Sequence, residues 1–405
     1  MRPAAALVLA ATALALAGCG AAVHPGQRIP GRKLTIYFSG PLHGASSAAA
    51  RSALDGARLA LADAGGTIGR YRIVLKVLDD STYASDGWDP NQTTLDVRQA
   101  VQDPTTAGYL GDFNSGASAI SIPLLNHAGI AQISSGSTAV GLTTAGIGAA
   151  PGEPQKYYPT GVRTFARVLP TDAVQALAIV QAERAVGCAS TLVLDDGEVD
   201  GEDAALTFLL TAKSAGLRVV GVPLPFIRQA ASYISLARSA ASSGADCVLI
   251  SAIDERSSAR LTEQLAQALP GATIFAGNGL ADSAYIDALP QSLDGRVIVV
   301  SAMLPPSSGR ERAFLARYAA RFGAPEPQAI FGAAAMQLML DVIDDATHGG
   351  RIEADRAKIR DALFDGDERR TVLGMLELDR AGDTRGRFGI YRLAGAKLRF
   401  MGAAG

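Results

Sequence analysis

Two similar α/β lobes, each built on a mainly parallel sheet, are what this 405-residue chain predicts. Three observations carry that reading. Short apolar runs alternate with amphipathic stretches along most of the chain. The runs are continuously apolar, as in strands buried on both faces. A Gly/Pro-rich segment, Thr144–Gly161, separates one such alternation from a second.

Lys33–Phe38 is the first β-rich run. Ser47–Ala64 follows as a helix, with Leu54, Ala57, Leu61 and Ala64 on one face and Arg51, Asp55 and Arg58 off it. Gly65-Gly66 stops it. Ile73–Leu78 then reads as a strand, Pro90–Gln102 as a helix, Ala107–Leu110 as a strand, Ser115–His127 as a helix and Ile130–Ile133 as a strand. Past the break, strands are expected at Val162–Val168, Thr191–Leu194, Leu217–Val222, Cys247–Ser251, Thr273–Phe275 and Val297–Ser301. Helices such as Asp172–Val186 and Arg256–Ala268 fill the gaps. Two or three helices (roughly Arg310–Phe322, Gln328–Asp345 and Glu353–Phe364) and a tail of short strands, Leu373–Phe400, end the chain. The alternation before the break is expected to form lobe 1 and the one after it lobe 2.

The N-terminus reads as an export signal. Met1-Arg2 brings a positive charge, and the apolar run from Ala4 to Ala17 ends in Leu16-Ala17-Gly18-Cys19. The run is short of the roughly 20 residues of a membrane span. Its ending resembles the bacterial lipoprotein box, whose cysteine sulfur takes a diacylglycerol. Residues 1–18 are therefore expected to be cleaved, Cys19 to be lipidated, and residues 19–32 to act as a tether. The expected place is the outer face of the cytoplasmic membrane, or the periplasm.

Composition excludes several classes. With 48% hydrophobic and 19% charged residues the chain can build a core, and disorder is not expected. A net charge of −2 gives no reason to expect a nucleic acid partner. The four His and three Cys show no metal-ligand spacing, so neither metal nor cofactor is expected. No Gly-x-Ser-x-Gly elbow, His-Glu-x-x-His, Gly-x-Gly-x-x-Gly or phosphate-binding loop is present, and an enzyme is not expected.

In doubly wound sheets ligands sit beyond the carboxyl ends of the strands. Two turns stand there. Gly111-Asp112-Phe113-Asn114-Ser115-Gly116-Ala117-Ser118 opens directly into a helix, and Ser134-Ser135-Gly136-Ser137-Thr138 follows the next strand. Free amides and the helix dipole favour an anion at such a place, and hydroxyls add neutral hydrogen bonds. Ordinary helix capping by Asn114 or Ser115 is the plainer alternative. Phe113, Asn114, Ser115, Gly116, Ser135, Gly136, Ser137 and Thr138 are the lobe 1 candidates.

These turns, with Ser39-Gly40-Pro41-Leu42, Gly56-Ala57-Arg58-Leu59-Ala60-Leu61, Asp79-Asp80, Phe165 to Asp172 and Asp195-Asp196-Gly197, resemble the leucine/isoleucine/valine-binding protein family. Those are type I periplasmic binding proteins, the solute receptors of branched-chain amino acid ABC transporters. The resemblance implies two Rossmann-like lobes that close like a flytrap about a hinge of three crossings, with residues 33–155 and about 303–385 in lobe 1 and residues 156–302 and about 386–405 in lobe 2. It further implies that Ser115 and Thr138 hold a ligand carboxylate, that the Gly136 carbonyl faces an ammonium, and that Phe113 lines the pocket.

Lobe 2 departs from the family. Where an acid usually meets the ammonium, the turn is Ala276-Gly277-Asn278-Gly279, and two positions that are often aromatic carry Asp200 and Ile253-Asp254. An amide at Asn278 cannot neutralise an ammonium. Asp196, Asp200 or Asp254 are candidates to take over, or are solvated loop acids. Trp88 either walls the cleft or packs on the lobe surface. Cys188 and Cys247 stand at the starts of strands that should be neighbours, so they are either bonded or two buried thiols.

The expected function is capture of a small polar ligand, an amino acid or related amide or amine, for delivery by a monomer to an ABC permease. A sensor of the same fold is the alternative, and an exported enzyme a more distant one.

Overall fold

A computed structural model describes residues 28–405. The export signal, Cys19 and residues 20–27 of the tether lie outside the described residues. The packed body begins inside the stretch read as a tether. Arg28 bridges to Asp355, and Ile29 is buried, its amide donating to the Ala354 carbonyl at 2.9 Å. An isoleucine carries apolar surface worth burying.

Lobe 1 starts with β1 (Lys33–Gly40), α1 (Ser47–Asp63), the short β2 (Thr67–Ile68) and β3 (Tyr71–Asp79). A small hairpin, β4 (Ser81–Thr82) and β5 (Gly87–Trp88), leads to α2 (Pro90–Gln102), β6 (Thr106–Leu110), α3 (Ser115–His127), β7 (Gln132–Ser134) and β8 (Phe165–Arg167). The sheet order is β2-β3-β1-β6-β7-β8, parallel except for β2.

Lobe 2 runs through α4 (Asp172–Val186), β9 (Ser190–Asp195), α5 (Val199–Ser214), β10 (Arg218–Val219), β11 (Leu224–Pro225), α6 (Ile234–Ser242), β12 (Cys247–Ser251), α7 (Glu255–Ala268), β13 (Thr273–Ala276), α8 (Ser283–Ile286) and β14 (Val297–Ser301). The chain returns to lobe 1 for α9 (Gly309–Phe322), α10 (Gln328–Ala346), α11 (Arg356–Leu363) and the hairpin β15 (Arg369–Thr371) and β16 (Gly374–Leu376). It ends in lobe 2 with β17 (Phe388–Leu393) and β18 (Leu398–Ala404), which add antiparallel strands to the order β10-β9-β12-β13-β14-β17-β18.

Both parallel sheets are wound alike, turning direction between β1 and β6 in lobe 1 and between β9 and β12 in lobe 2. These are the switch points at which such sheets hold ligands. Three crossings join the lobes, at residues 168–171, 302–308 and 377–387.

The first crossing lies further along the chain than the expected boundary at residue 155. Strand β8 pairs with β7, so the chain stays in lobe 1 until Arg167. Residues 139–158 fold back onto α3: Leu142, Tyr157 and Tyr158 pack with Ile122 and Phe165. The crossing is pinned by Arg167, whose fully buried guanidinium bonds Asp383 Oδ1 at 2.7 Å, the Ala139 carbonyl at 2.9 Å and Thr143 Oγ1 at 2.6 Å. One side chain thereby ties the first crossing to the third. A buried guanidinium is tolerable only when its fork is satisfied in this way.

Cys188, just before β9, is bonded to Cys247 at the start of the adjacent β12, with Cα atoms 5.8 Å apart.

Candidate functional site

Turns from the strand ends of both sheets meet around one cavity of about 50 Å³ between the lobes. Lobe 1 contributes Phe113, Asn114, Gly136 and Thr138, and lobe 2 contributes Asp200, Ile253, Gly277 and Asn278. The first crossing and the start of α4 add Leu169, Asp172 and Gln175, and α10 adds Gln328 and Phe331.

The lobe 1 turns are welded together by their own hydroxyls. Ser134 Oγ accepts from the Gly136 and Ser137 amides at 3.2 and 2.9 Å and donates to the Asp112 carbonyl at 2.7 Å. Ser115 Oγ accepts from the Thr138 and Ala139 amides at 3.1 and 3.2 Å. Gly136 is glycine for room, since a Cβ there would stand 2.4 Å from the Phe113 carbonyl oxygen. Ser115 and Ser137 take part in this framework, and Ser115, Gly116, Ser135 and Ser137 do not line the cavity.

Helix α3 receives no side-chain cap from its own N-cap residue, Asn114, whose Oδ1 is buried without a partner. The cap comes from the other lobe. Asp200, the second residue of α5, accepts the Ser115 amide at 2.8 Å through Oδ1. Burial raises the Asp200 pKa, against the pull of Ser115 and Gly116.

The other lobe 2 acids behave differently from what the sequence suggested. Asp196 spends its carboxylate on the Ile253, Asp254 and Glu198 amides, at 2.7, 3.1 and 3.2 Å, and so clasps the turns after β9 and β12. Burial lifts it to about 6, with those amides pulling it down. Asp254 caps α7 through the Ser257 amide and hydroxyl, both at 2.9 Å. Neither lines the cavity, because amides at the helix start and in the adjacent loop claim them first. Asn278 does line it. Its Oδ1 accepts the Ala302 amide at 2.8 Å, and its backbone N–H donates to Gln175 Oε1 at 2.6 Å.

Asp172, at the start of α4, is the acid that sequence reasoning passed over as a site residue. It is 2% exposed, takes Gln175 Nε2 on Oδ1 at 2.8 Å, and has no partner on Oδ2. Burial pushes it up to about 7, Asp200 adds to the rise, and the Thr138 hydroxyl and Arg167 pull against it. Its signal was positional: it stands directly after the first interlobe crossing, at the start of α4.

Trp88 neither walls the cavity nor packs on one lobe alone. Its Nε1 donates to Glu198 Oε2 of lobe 2 at 3.2 Å, and its ring covers Gly116, where a Cβ would stand 2.5 Å away. The Ser46 amide donates to Glu255 Oε1 at 2.7 Å, and Gln229 Nε2 to Asp86 Oδ2 at 3.0 Å. The lobes are closed on each other.

Two doubly wound lobes, three crossings and a cavity walled from both sides define a cleft-closing ligand receptor. The periplasmic binding protein model matches residues 33–389, and the chain belongs to that family. No match is found among the curated proteins. Among solved structures, the leucine binding protein LivK of Thermotoga maritima is similar with a TM-score of 0.78 at 18% identity, over 92% of this chain and 98% of that one. The branched-chain amino acid substrate binding protein LivJ of Streptococcus pneumoniae, with isoleucine, gives 0.75 at 16% over 92% and 99%. A solute binding protein from R. palustris, with benzoate, gives 0.75 at 19% over 92% and 96%. Among the described residues no helix is long and apolar enough to cross a membrane.

Proposed function

We propose that this chain is the extracytoplasmic solute-binding component of an ABC transporter, held at the membrane through Cys19, working as a monomer and without chemistry on its ligand. It captures a small polar solute between the lobes and delivers it to a permease. One observation carries the reading: the cavity has walls from both lobes, so its occupancy and the lobe position are coupled. The similar solved structures, a leucine binding protein and complexes with isoleucine and with benzoate, support small solutes as the class.

A thermal-shift screen of amino acids, amides, amines and short carboxylates tests it. A solute that binds only the folded state adds about 2.7 kcal/mol of stability at a hundredfold excess over Kd. Ala204 lines the cavity, and Ala204→Trp should fill the space and erase the shift. A shift that survives that substitution places the site elsewhere.

A further inference from the structure

Donors and acceptors around the cavity are unevenly spent. The amides a ligand carboxylate would need are already taken: Ser115 by Asp200, Gly136 and Ser137 by Ser134, and Thr138 by Ser115. Asp200 comes from the opposite lobe, so a carboxylate of the protein itself stands at the positive end of α3. The acceptors are left open. Asp172 Oδ2 and Asp200 Oδ2 are both buried without partners, and Asp172 as a whole is 2% exposed. The residues lining the cavity include no Lys, Arg or His. Two acids thus line one interlobe cavity whose wall carries no basic side chain, and buried carboxylates call for a cation or a donor.

We infer that the cleft selects a small organic cation that carries N–H donors and no carboxylate, of the primary ammonium or guanidinium class, and pairs it with Asp172 and Asp200. This rests on the reading of the cleft as the solute site. Size sets a second limit. A cavity of about 50 Å³ holds about four waters, so the occupant has only a few non-hydrogen atoms.

Calorimetric titration of the wild type with guanidinium, ethanolamine, urea, glycine and leucine at pH 8 decides the matter. Urea matches guanidinium in size without its charge, and the two amino acids bring a carboxylate. At least one cation should bind one to one, while urea, glycine and leucine give no saturable heat. Asp172→Asn should weaken the cation roughly tenfold to a hundredfold, with an unchanged circular dichroism spectrum. Asp200→Ser frees the Ser115 amide and should admit glycine, a gain that a misfolded variant cannot show. Leucine or glycine binding to the wild type, or urea binding as tightly as guanidinium, overturns the inference and leaves the solute-binding reading intact. Silence toward every solute, in the wild type and in Asp200→Ser, overturns both.

Discussion

Asp200 shows what a single residue can and cannot disclose from sequence. Its position, where an aromatic was expected, marked it as a departure, but only the fold shows that it reaches across the cleft to cap α3. Asn278 and Thr138 were legible because both follow strand ends, and both line the cavity. Asp196 and Asp254 follow strand ends too, yet are consumed by local amides. Turn acids have many backbone donors within reach, and sequence does not say which are free. Trp88 offers a direct test at this scale. It is the one tryptophan of the chain, and its ring bridges the lobes through Glu198 without lining the cavity. Any solute that alters lobe closure should therefore change its emission. Glu198→Gln should shift the ligand-free spectrum, and Trp88→Phe should abolish the signal while calorimetric affinity changes less than about threefold. A saturating ligand that leaves the emission unmoved would show that the lobes do not respond to it.

At the scale of elements, helices with a 3.6-residue apolar period were legible almost to their ends, and short edge strands were not. The expected strand Leu217–Val222 shrinks to Arg218–Val219, because Gly221 turns with φ +71° and the chain leaves the sheet edge there. The expected start at Val162 moves to Phe165, since Asn126 holds the Val162 carbonyl at 2.6 Å in a loop. Periodicity reports which face is apolar, and an edge strand's length is fixed by partners it does not encode. The pairing of α1 with α10 was likewise hidden, although both helices were expected. Gly56 and Gly332 let their backbones touch: a Cβ on Gly56 would stand 1.9 Å from the Ala329 carbonyl oxygen, and one on Gly332 would stand 1.9 Å from that of Ala53. Alanine is the better helix former by about 1 kcal/mol, yet Gly56→Ala should still destabilise by about 1–3 kcal/mol because neither backbone can yield. Gly309→Ala, at the open start of α9 with nothing within 4 Å, should be neutral or stabilising. Urea unfolding of the two variants checks the contrast, and equal effects would mean that the helices part easily.

The whole molecule was legible as two alternations of strand and helix, because period and apolar runs survive without tertiary knowledge. A lobe boundary is harder to read, since residues 144–161 look like a crossing while Leu142, Tyr157 and Tyr158 pack back onto α3. A property of the whole follows from how many acids this closed form buries. Burial raises Asp112, Asp196 and Asp282 to about 6, Asp96, Asp172 and Asp203 to about 7, Glu183 to about 8 and Glu255 to about 9. Each holds a proton in the folded state that the unfolded chain has lost above about pH 4. More protons bound by the folded form means that stability falls as pH rises, by up to about 1.4 kcal/mol per proton and pH unit. Asp79, Asp89, Asp103, Asp246 and Glu153 are lowered instead, where hydrogen bonds to the ionised form win. Their contribution is present above about pH 4 and lost below it. The ligand-free Tm should accordingly peak near pH 5 and decline toward pH 8.5, as followed by scanning calorimetry. Part of that slope belongs to closure itself, because Asp172 and Asp200 face the cavity and Glu255 takes the Ser46 amide across the lobes. Asp172 is met from its surroundings by Asp200, Asp203, Arg167 and Thr138, so only a cation entering the cleft adds a new positive charge beside it. A bound cation should flatten the decline above pH 6, and Asp172→Asn should flatten it without ligand. A Tm constant from pH 5 to 9 would mean that these acids are hydrated in solution and that the empty cleft stands open.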